Sequence, residues 1–259
     1  MKVYFLDYGW LEGDYNWMVN LSTYGTKENK IVFSRWEKFP EYGVLIETEK
    51  GYILYDTGSH PEDYDKSSRF PYYFRNEQGV EKQLSRLGLK PSDIHTVIIS
   101  HLHDDHCGCL PLFRHAHILI DKDEYEYVQN ARAGLIPLRG AYKRMTMDYP
   151  DIELVDSDRD FSDFIRIYRL PGHSHGLLGL LIRFSNRCPL FIISDASNTE
   201  ENYRPQSVAA TGLHNEDLYF QSLEKVREIE KKTNAEVIFG HDMRQFSLLK
   251  KCPEFYGDN

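Results

Sequence analysis

Short apolar runs alternate with polar breaks along most of the chain. Runs of five to eight residues that are rich in β-branched and aromatic side chains, a pattern typical of strands, recur at 2–7, 42–49, 52–56, 95–100, 117–121, 164–170, 178–184, 190–195 and 236–241. Lys50 and Gly51 are the two residues between the second and third runs, which is the spacing of a tight hairpin. The pattern therefore predicts a protein in which strands outnumber helices.

Three longer segments, 80–89, 121–132 and 215–233, carry the patterns of helices. Gly88 fits the end of the first, acidic residues open the second, and Asn215 is suited to cap the third. Helices interleaved with so many strands favour an α+β fold, a four-layer αββα sandwich, over a doubly wound parallel sheet. Because no linker or repeat divides the chain, we predict a single domain over residues 1–259.

The composition narrows the classes of partner. The chain has 259 residues, 41% of them apolar, and a net charge of −9, so its surface repels phosphate backbones and we expect no nucleic acid. No run reaches the roughly 18 apolar residues of a membrane span, and acidic residues come too early for a signal peptide. Four cysteines without disulfide or zinc-finger spacing favour a reduced, cytoplasmic protein.

The stretch HLHDDHCG, at 101–108, concentrates three histidines and two aspartates within six positions. It follows the apolar run 95–100 directly, and the end of a rigid strand is a favourable place to hold functional side chains. His101 and His103 are two residues apart, so an extended segment can direct both the same way. Asp105 and His106 follow at a turn and are expected to face a second position.

Other polar residues follow strands in the same manner. His173 lies just after the run 164–170, Asp195 and His241 each end a run, and Asp56 comes after another strand in YDTG. Open sheets tend to place their chemistry at such strand ends. Each of these residues alone is more typical of a turn. Their occurrence together with H-x-H-x-D-H favours a metal site.

This set of motifs resembles the metallo-β-lactamase superfamily. The motif H-x-H-x-D-H occupies 101–106 and is followed in order by PGH at 171–173, Asp195 and GH at 240–241. Within that superfamily the chain most resembles the N-acyl-homoserine lactonases, the quorum-quenching enzymes, over nearly its whole length. The resemblance implies the αββα fold of the metallo-β-lactamase type and a centre for two divalent metal ions.

Matching positions imply a ligand set for each metal. The first ion would be bound by His101, His103 and His173, the second by Asp105, His106 and His241, and Asp195 would bridge the two. Nitrogen and carboxylate donors without thiolate suit Zn²⁺, with Fe, Co or Mn as alternatives. The redox diiron members of the superfamily have a carboxylate where this chain has His103, so the resemblance favours hydrolysis over electron transfer.

The implied reaction is the opening of a lactone ring by a hydroxide held between the two metals. Asp105 would carry the proton from the tetrahedral intermediate to the departing ring oxygen. Asp56 has two interpretations: it orients a histidine ligand from outside the ligand set, or it forms a turn before Thr57. Alternatives for the whole chain are a hydrolase of another ester, thioester or small phosphoester, and a metal-binding module without catalysis.

The chain departs from the lactonase pattern on the substrate side. The lactonases that the chain resembles carry a tyrosine three residues after the bridging aspartate, and here that position is Asn198, a shorter hydrogen-bonding group. Aromatic residues are dense at 10–18 and 69–76. One hypothesis is that Tyr73 and Phe74 line a lid or a channel for the acyl chain of the substrate. The alternative is ordinary packing of these rings.

Overall fold

Two sheets form the centre of the structure, a computed structural model that describes residues 1–18, 27–28, 35–63, 72–73, 78–136, 148–204 and 213–257. The strands of the larger sheet are β1 (Lys2–Asp14), β2 (Trp36–Thr48), β3 (Gly51–Tyr55), β4 (Tyr72–Tyr73), β5 (Ile94–Ile98), β6 (His117–Asp121), β7 (Ile152–Val155) and β13 (Tyr256–Gly257). The smaller sheet contains β8 (Arg159–Asp160), β9 (Ile165–Arg169), β10 (Leu178–Ile182), β11 (Leu190–Ser194) and β12 (Glu236–Phe239). Every run that the sequence predicted to be a strand is found as one.

The helices connect and cover the sheets. They are α1 (Tyr15–Met18), α2 (Val80–Ser85), α3 (Asp104–Cys107), α4 (Lys122–Arg132), α5 (Glu200–Tyr203), α6 (Glu216–Thr233) and α7 (Met243–Leu248). The three predicted helices correspond to α2, α4 and α6. Asn215 caps α6 as expected, since its side chain accepts a hydrogen bond from the Leu218 amide at 3.0 Å. Asp121 does the same for α4 through the Asp123 amide.

Three apolar layers explain why the sheets stack. The middle layer lies between the two sheets and includes Val44 and Ile98 from the larger sheet and Leu180 and Ile192 from the smaller one. The other face of the larger sheet packs on α2 and α4, and that of the smaller sheet packs on α6. Because each sheet is apolar on both faces, both faces have to be covered. The predicted αββα sandwich is therefore confirmed.

The strand directions bring several strand ends to one edge of the sandwich. In the larger sheet β3, β5, β6 and β7 run parallel to one another. In the smaller sheet β11 and β12 are parallel, and β9 runs with them because β10 is antiparallel to both of its neighbours. The turn at Lys50 joins β2 and β3 as an antiparallel hairpin, as predicted.

The first two strands are longer than the apolar pattern indicates. Their pairing runs from Lys2 opposite Glu47 to Asp14 opposite Trp36. The part outside the predicted runs, residues 8–14 and 36–41, forms an arm of the hairpin. Polar residues in this part of the chain hide the strand period, because the arm is partly exposed. The arm is stabilised by side chains across its surface, such as Lys38, whose ammonium lies 4.4 Å from the centre of the Trp10 ring.

The helices offer no candidate for a membrane span. Within the described ranges, none of them is both long enough and apolar enough to cross a bilayer.

The middle apolar layer generates a test of the fold. Leu180 is fully buried on β10, so Leu180→Ala should lower the free energy of unfolding by about 2–5 kcal/mol. Leu248→Ala is the matched control, since that side chain is 86% exposed and its loss should change stability by less than about 0.5 kcal/mol. Urea denaturation measures both. Equal effects of the two variants would contradict this packing.

Candidate metal centre

The predicted ligands on the larger sheet come from one strand and the turn that follows it. β5 ends at Ile98, and His101 and His103 come three and five residues later in an extended segment. His103 then occupies the position that precedes α3, so Asp105 and His106 lie in the first turn of that helix. The change from extended chain to helix turns these two side chains towards a different side of the cluster, as the sequence predicted.

The predicted metal ligands on the smaller sheet come from three strand ends. His173 lies in the loop after β9, Asp195 follows β11 directly, and His241 lies two residues after the end of β12. Gly240 is required here by space. A Cβ at that position would lie 2.5 Å from Asp195 Oδ1, so a side chain there would collide with the carboxylate.

Three imidazoles form the first group. His103 Nδ1 lies 2.9 Å from His101 Nε2 and 3.1 Å from His173 Nε2. Donors on one tetrahedral zinc ion are separated by roughly 3.3 Å, given zinc–nitrogen distances near 2.0–2.1 Å, so these spacings suit a shared ion. Burial lowers the pKa of His101 and His173, and it lowers the pKa of His103 to about 3. The three rings are therefore neutral and offer lone pairs.

Asp195 stands between this group and a second one. Its Oδ2 lies 3.3 Å from His173 Nε2, and its Oδ1 lies 3.3 Å from His106 Nε2 and 3.1 Å from His241 Nε2. The second group is completed by Asp105, whose Oδ2 is 3.5 Å from His106 Nε2 and 3.6 Å from His241 Nε2. His241 Nε2 also lies 3.2 Å from Oδ2, so the carboxylate of Asp195 contacts donors of both groups.

The second group differs from the first in charge. Burial opposes protonation of His241, but the Asp195 and Asp105 carboxylates outweigh it and raise the pKa to about 9. The pKa of His106 is raised in the same way, against burial, by Asp105, Asp195 and Asp56. Against the cost of its own burial, Asp195 has a lowered pKa because His241, His106 and His173 surround it. The carboxylates that favour protons on these rings equally favour a divalent cation.

The donor atoms pass a direct test of whether they fit metal ions. His106 Nε2 and Asp195 Oδ1 are buried and lie 3.3 Å apart, but neither atom has a contact with the geometry of a hydrogen bond, although buried polar atoms in proteins nearly always have one. Three sets of donor atoms each lie within 4.8 Å of one another: His101, His103 and His173; His101, His106 and Asp195; Asp105, His106 and His241. The arrangement fits two metal ions that share Asp195.

Hydrogen bonds from outside the cluster orient its rings. Asp56 Oδ2 accepts from His106 Nδ1 at 2.9 Å, which leaves Nε2 to face the cluster. The Asp56 side chain also accepts from the Ser100 amide and hydroxyl, both at 2.7 Å, and the Ser194 hydroxyl donates to Ser100 Oγ. Asp56 has a φ of 60° and forms the turn before Thr57. Its carboxylate also contacts the predicted ligand His106, so both interpretations of this residue apply.

Two further contacts that hold the cluster in place could not be predicted from the sequence. His241 Nδ1 lies 2.9 Å from the Pro40 carbonyl oxygen, a backbone contact that no residue type announces. Glu124 is fully buried, and its carboxylate accepts from the Leu102 amide and the Gly176 amide. It thereby ties the loop of His101 to the loop of His173. Acidic residues are typical of the start of a helix, so only the tertiary structure reveals this use of Glu124.

The predicted substrate residues lie in different surroundings. Asn198 is buried, and its Nδ2 donates to the Met18 carbonyl oxygen at 3.0 Å, so it holds α1 and the end of the arm. The backbone of Tyr73 belongs to β4 and pairs with Trp10 of β1. Phe74 lies outside the described residues.

Similarity to known proteins extends over the whole chain. The N-acyl homoserine lactonase AiiB of Agrobacterium fabrum is 29% identical and aligns with 98% of this chain and 99% of its own length. An N-acyl homoserine lactonase of Bacillus cereus is 31% identical over 83% of this chain and 86% of its own. A solved N-acyl homoserine lactone hydrolase, with the product N-hexanoyl-L-homoserine at its catalytic metal centre, has a TM-score of 0.84 and 25% identity and covers 98% of both chains.

The family model for the Metallo-beta-lactamase superfamily matches residues 37–241. That range begins on β2 and ends on His241, so it contains all seven donor residues of the cluster. The matched range, the shared fold and the donor groups together show that this chain belongs to the metallo-beta-lactamase superfamily.

Proposed function

We propose that this protein is a metal-dependent hydrolase that opens the ring of N-acyl-homoserine lactones. The observation that carries the proposal is the position of Asp195, whose carboxylate lies between two groups of donors and contacts both. A pair of metal ions held in this way is suited to attack on a carbonyl carbon by water. The relatives that match nearly the whole chain are lactonases, which supports this ester as the substrate.

Each metal ion has its own proposed ligands. We propose that His101, His103 and His173 hold one ion, that Asp105, His106 and His241 hold the other, and that Asp195 is shared. The donors are imidazole nitrogens and carboxylate oxygens, a set that suits Zn²⁺. When bound, two such ions would lower the pKa of water and polarise the carbonyl oxygen of the lactone.

Asp105 is the proposed carrier of the proton. Its side chain is 14% exposed, whereas that of Asp195 is 5% exposed, so Asp105 is the carboxylate with more access to the substrate side. One of its oxygens can accept the proton that the attacking water loses. The same oxygen can then donate that proton to the ring oxygen as the carbon–oxygen bond breaks. Water is consumed, and an N-acyl-homoserine is released.

The residues around the ligands keep the site in shape. We propose that Asp56 orients His106 through the 2.9 Å contact to Nδ1, and that Ser100 holds Asp56 in turn. On the substrate side, we propose that Asn198 acts indirectly, by holding the Met18 carbonyl at the end of α1. Tyr73 and Phe74 are proposed to contact the acyl chain.

The activity is tested by proton release from N-acyl-homoserine lactones of short and long chain, using zinc-loaded protein. We expect ready, metal-dependent ring opening by the wild type, and a loss of about 100-fold to 10,000-fold in kcat for Asp105→Asn, because the proton carrier is removed. Rates are compared at equal metal content, measured by elemental analysis. Full metal occupancy without turnover would overturn the lactone assignment and favour another ester, a thioester or a small phosphoester.

The ligand assignment has its own test, which does not involve the substrate. His173→Ala and His241→Ala should each bind one metal ion fewer than the wild type, because each variant loses a donor of only one group. Elemental analysis after gel filtration gives the number of ions per chain. If either single variant lost both ions, or retained both, the division of the donors into two groups would be wrong.

The acyl-chain hypothesis predicts a selective effect on long substrates. Tyr73→Ala and Phe74→Ala should each raise KM for long-chain lactones about tenfold, which corresponds to a loss of about 1.4 kcal/mol of apolar contact, and change KM for short chains little. Phe220→Ala, which removes a partly exposed ring from α6, is the control. Unchanged KM for long chains would leave ordinary packing as the role of these rings.

A further inference from the structure

A buried glutamate lies beside the second donor group and has no assigned role. Glu41 lies on β2 and lines a cleft together with Asp105, His106 and His241. Only 2% of the residue is exposed. Its Oε2 accepts a hydrogen bond from the Ser59 amide at 3.3 Å, whereas Oε1 is buried and has no hydrogen-bond partner. A buried carboxyl oxygen without a donor is costly to the fold, which calls for an explanation.

Glu41 is outside the ligand cluster rather than part of it. The donor atoms of Asp105, His106 and His241 lie within 4.8 Å of one another, and Glu41 does not belong to any such set in the described part of the chain. It is nevertheless joined to the cluster through the backbone, because its neighbour Pro40 is the residue whose carbonyl oxygen contacts His241. Its position on this strand is therefore fixed relative to His241.

The electrostatics of the cleft indicate what such a carboxyl can do. Burial raises the pKa of Glu41 to about 8, the nearby Asp105 also raises it, and His241 opposes them. A divalent cation at the second group would act in the same direction as His241 and favour the ionised carboxylate. Glu41 is a further carboxyl group in this cleft, beside Asp56 and Asp105, so its ionised form would add negative charge next to the second group.

We propose that Glu41 is a positioning residue that strengthens the binding of a divalent metal ion by Asp105, His106 and His241. It would act from outside the ligand set through its negative charge, with Oε1 as an acceptor for the hydration shell of that ion. This inference rests on the ligand set proposed above. It assigns to Glu41 a role at one of the two metal positions and no role at the other.

The test separates the two positions by using single-site backgrounds. His173→Ala leaves the second group intact, and His241→Ala leaves the first. Glu41→Gln keeps the size of the side chain and removes its charge. In the His173→Ala background it should weaken Zn²⁺ binding about 10-fold to 100-fold, the usual effect of losing an outer partner of a metal site. In the His241→Ala background the dissociation constant should be unchanged. Competition with a chromophoric chelator measures both constants.

Two controls complete the design. Glu47→Gln makes the same chemical change on the same strand at a site where the carboxylate bonds Lys2 and Tyr4, and it should leave both constants unchanged. Glu41→Asp retains the charge and should recover most of the affinity that Glu41→Gln loses. Equal weakening in both backgrounds, or none in either, would overturn the proposal while leaving the ligand set in place. If neither background bound one ion, the ligand set itself would fail, and the role of Glu41 with it.

Discussion

The carboxylate of Asp195 must stand between donors that come from two different sheets, and much of the structure serves this requirement. His101, His103 and His106 follow a strand of the larger sheet, whereas His173 and His241 follow strands of the smaller one. The middle apolar layer, which lies between the two sheets, keeps these strand ends at a constant separation. At the edge itself, the hydrogen bond from Ser194 to Ser100 joins the two sheets next to the cluster.

Buried acids around the cluster show how the loops are held. Glu124 accepts backbone hydrogen bonds from two loops, and Asp121 beneath them pairs with Arg169 at 2.6 Å. Burying a carboxylate is unfavourable unless hydrogen-bond donors compensate for it, and both Glu124 and Asp121 have such donors. The gain is that side chains which must converge within a few ångströms are fixed before any ion or substrate arrives. Asp56 serves His106 in the same way.

The strands, the main helices and the cluster itself could be predicted, because each depends on local pattern or on a dense motif. The paired length of β1 and β2 could not, since exposed polar residues interrupt the strand period there. The burial of Glu41 could not be predicted either, because within FPEYG it resembles any acidic residue on a strand. That burial arises only from contact with distant parts of the chain. The Pro40 carbonyl is a backbone group and leaves no trace in residue type.

The metal cluster and α1 come from different parts of the chain, and one loop connects them. The loop after β11 carries Asp195 and, three residues later, Asn198, whose amide holds the Met18 carbonyl. One N–H of Asn198 is therefore committed to the Met18 carbonyl at the end of α1. A substitution of Asn198 would release α1 from this loop without removing a donor from the cluster.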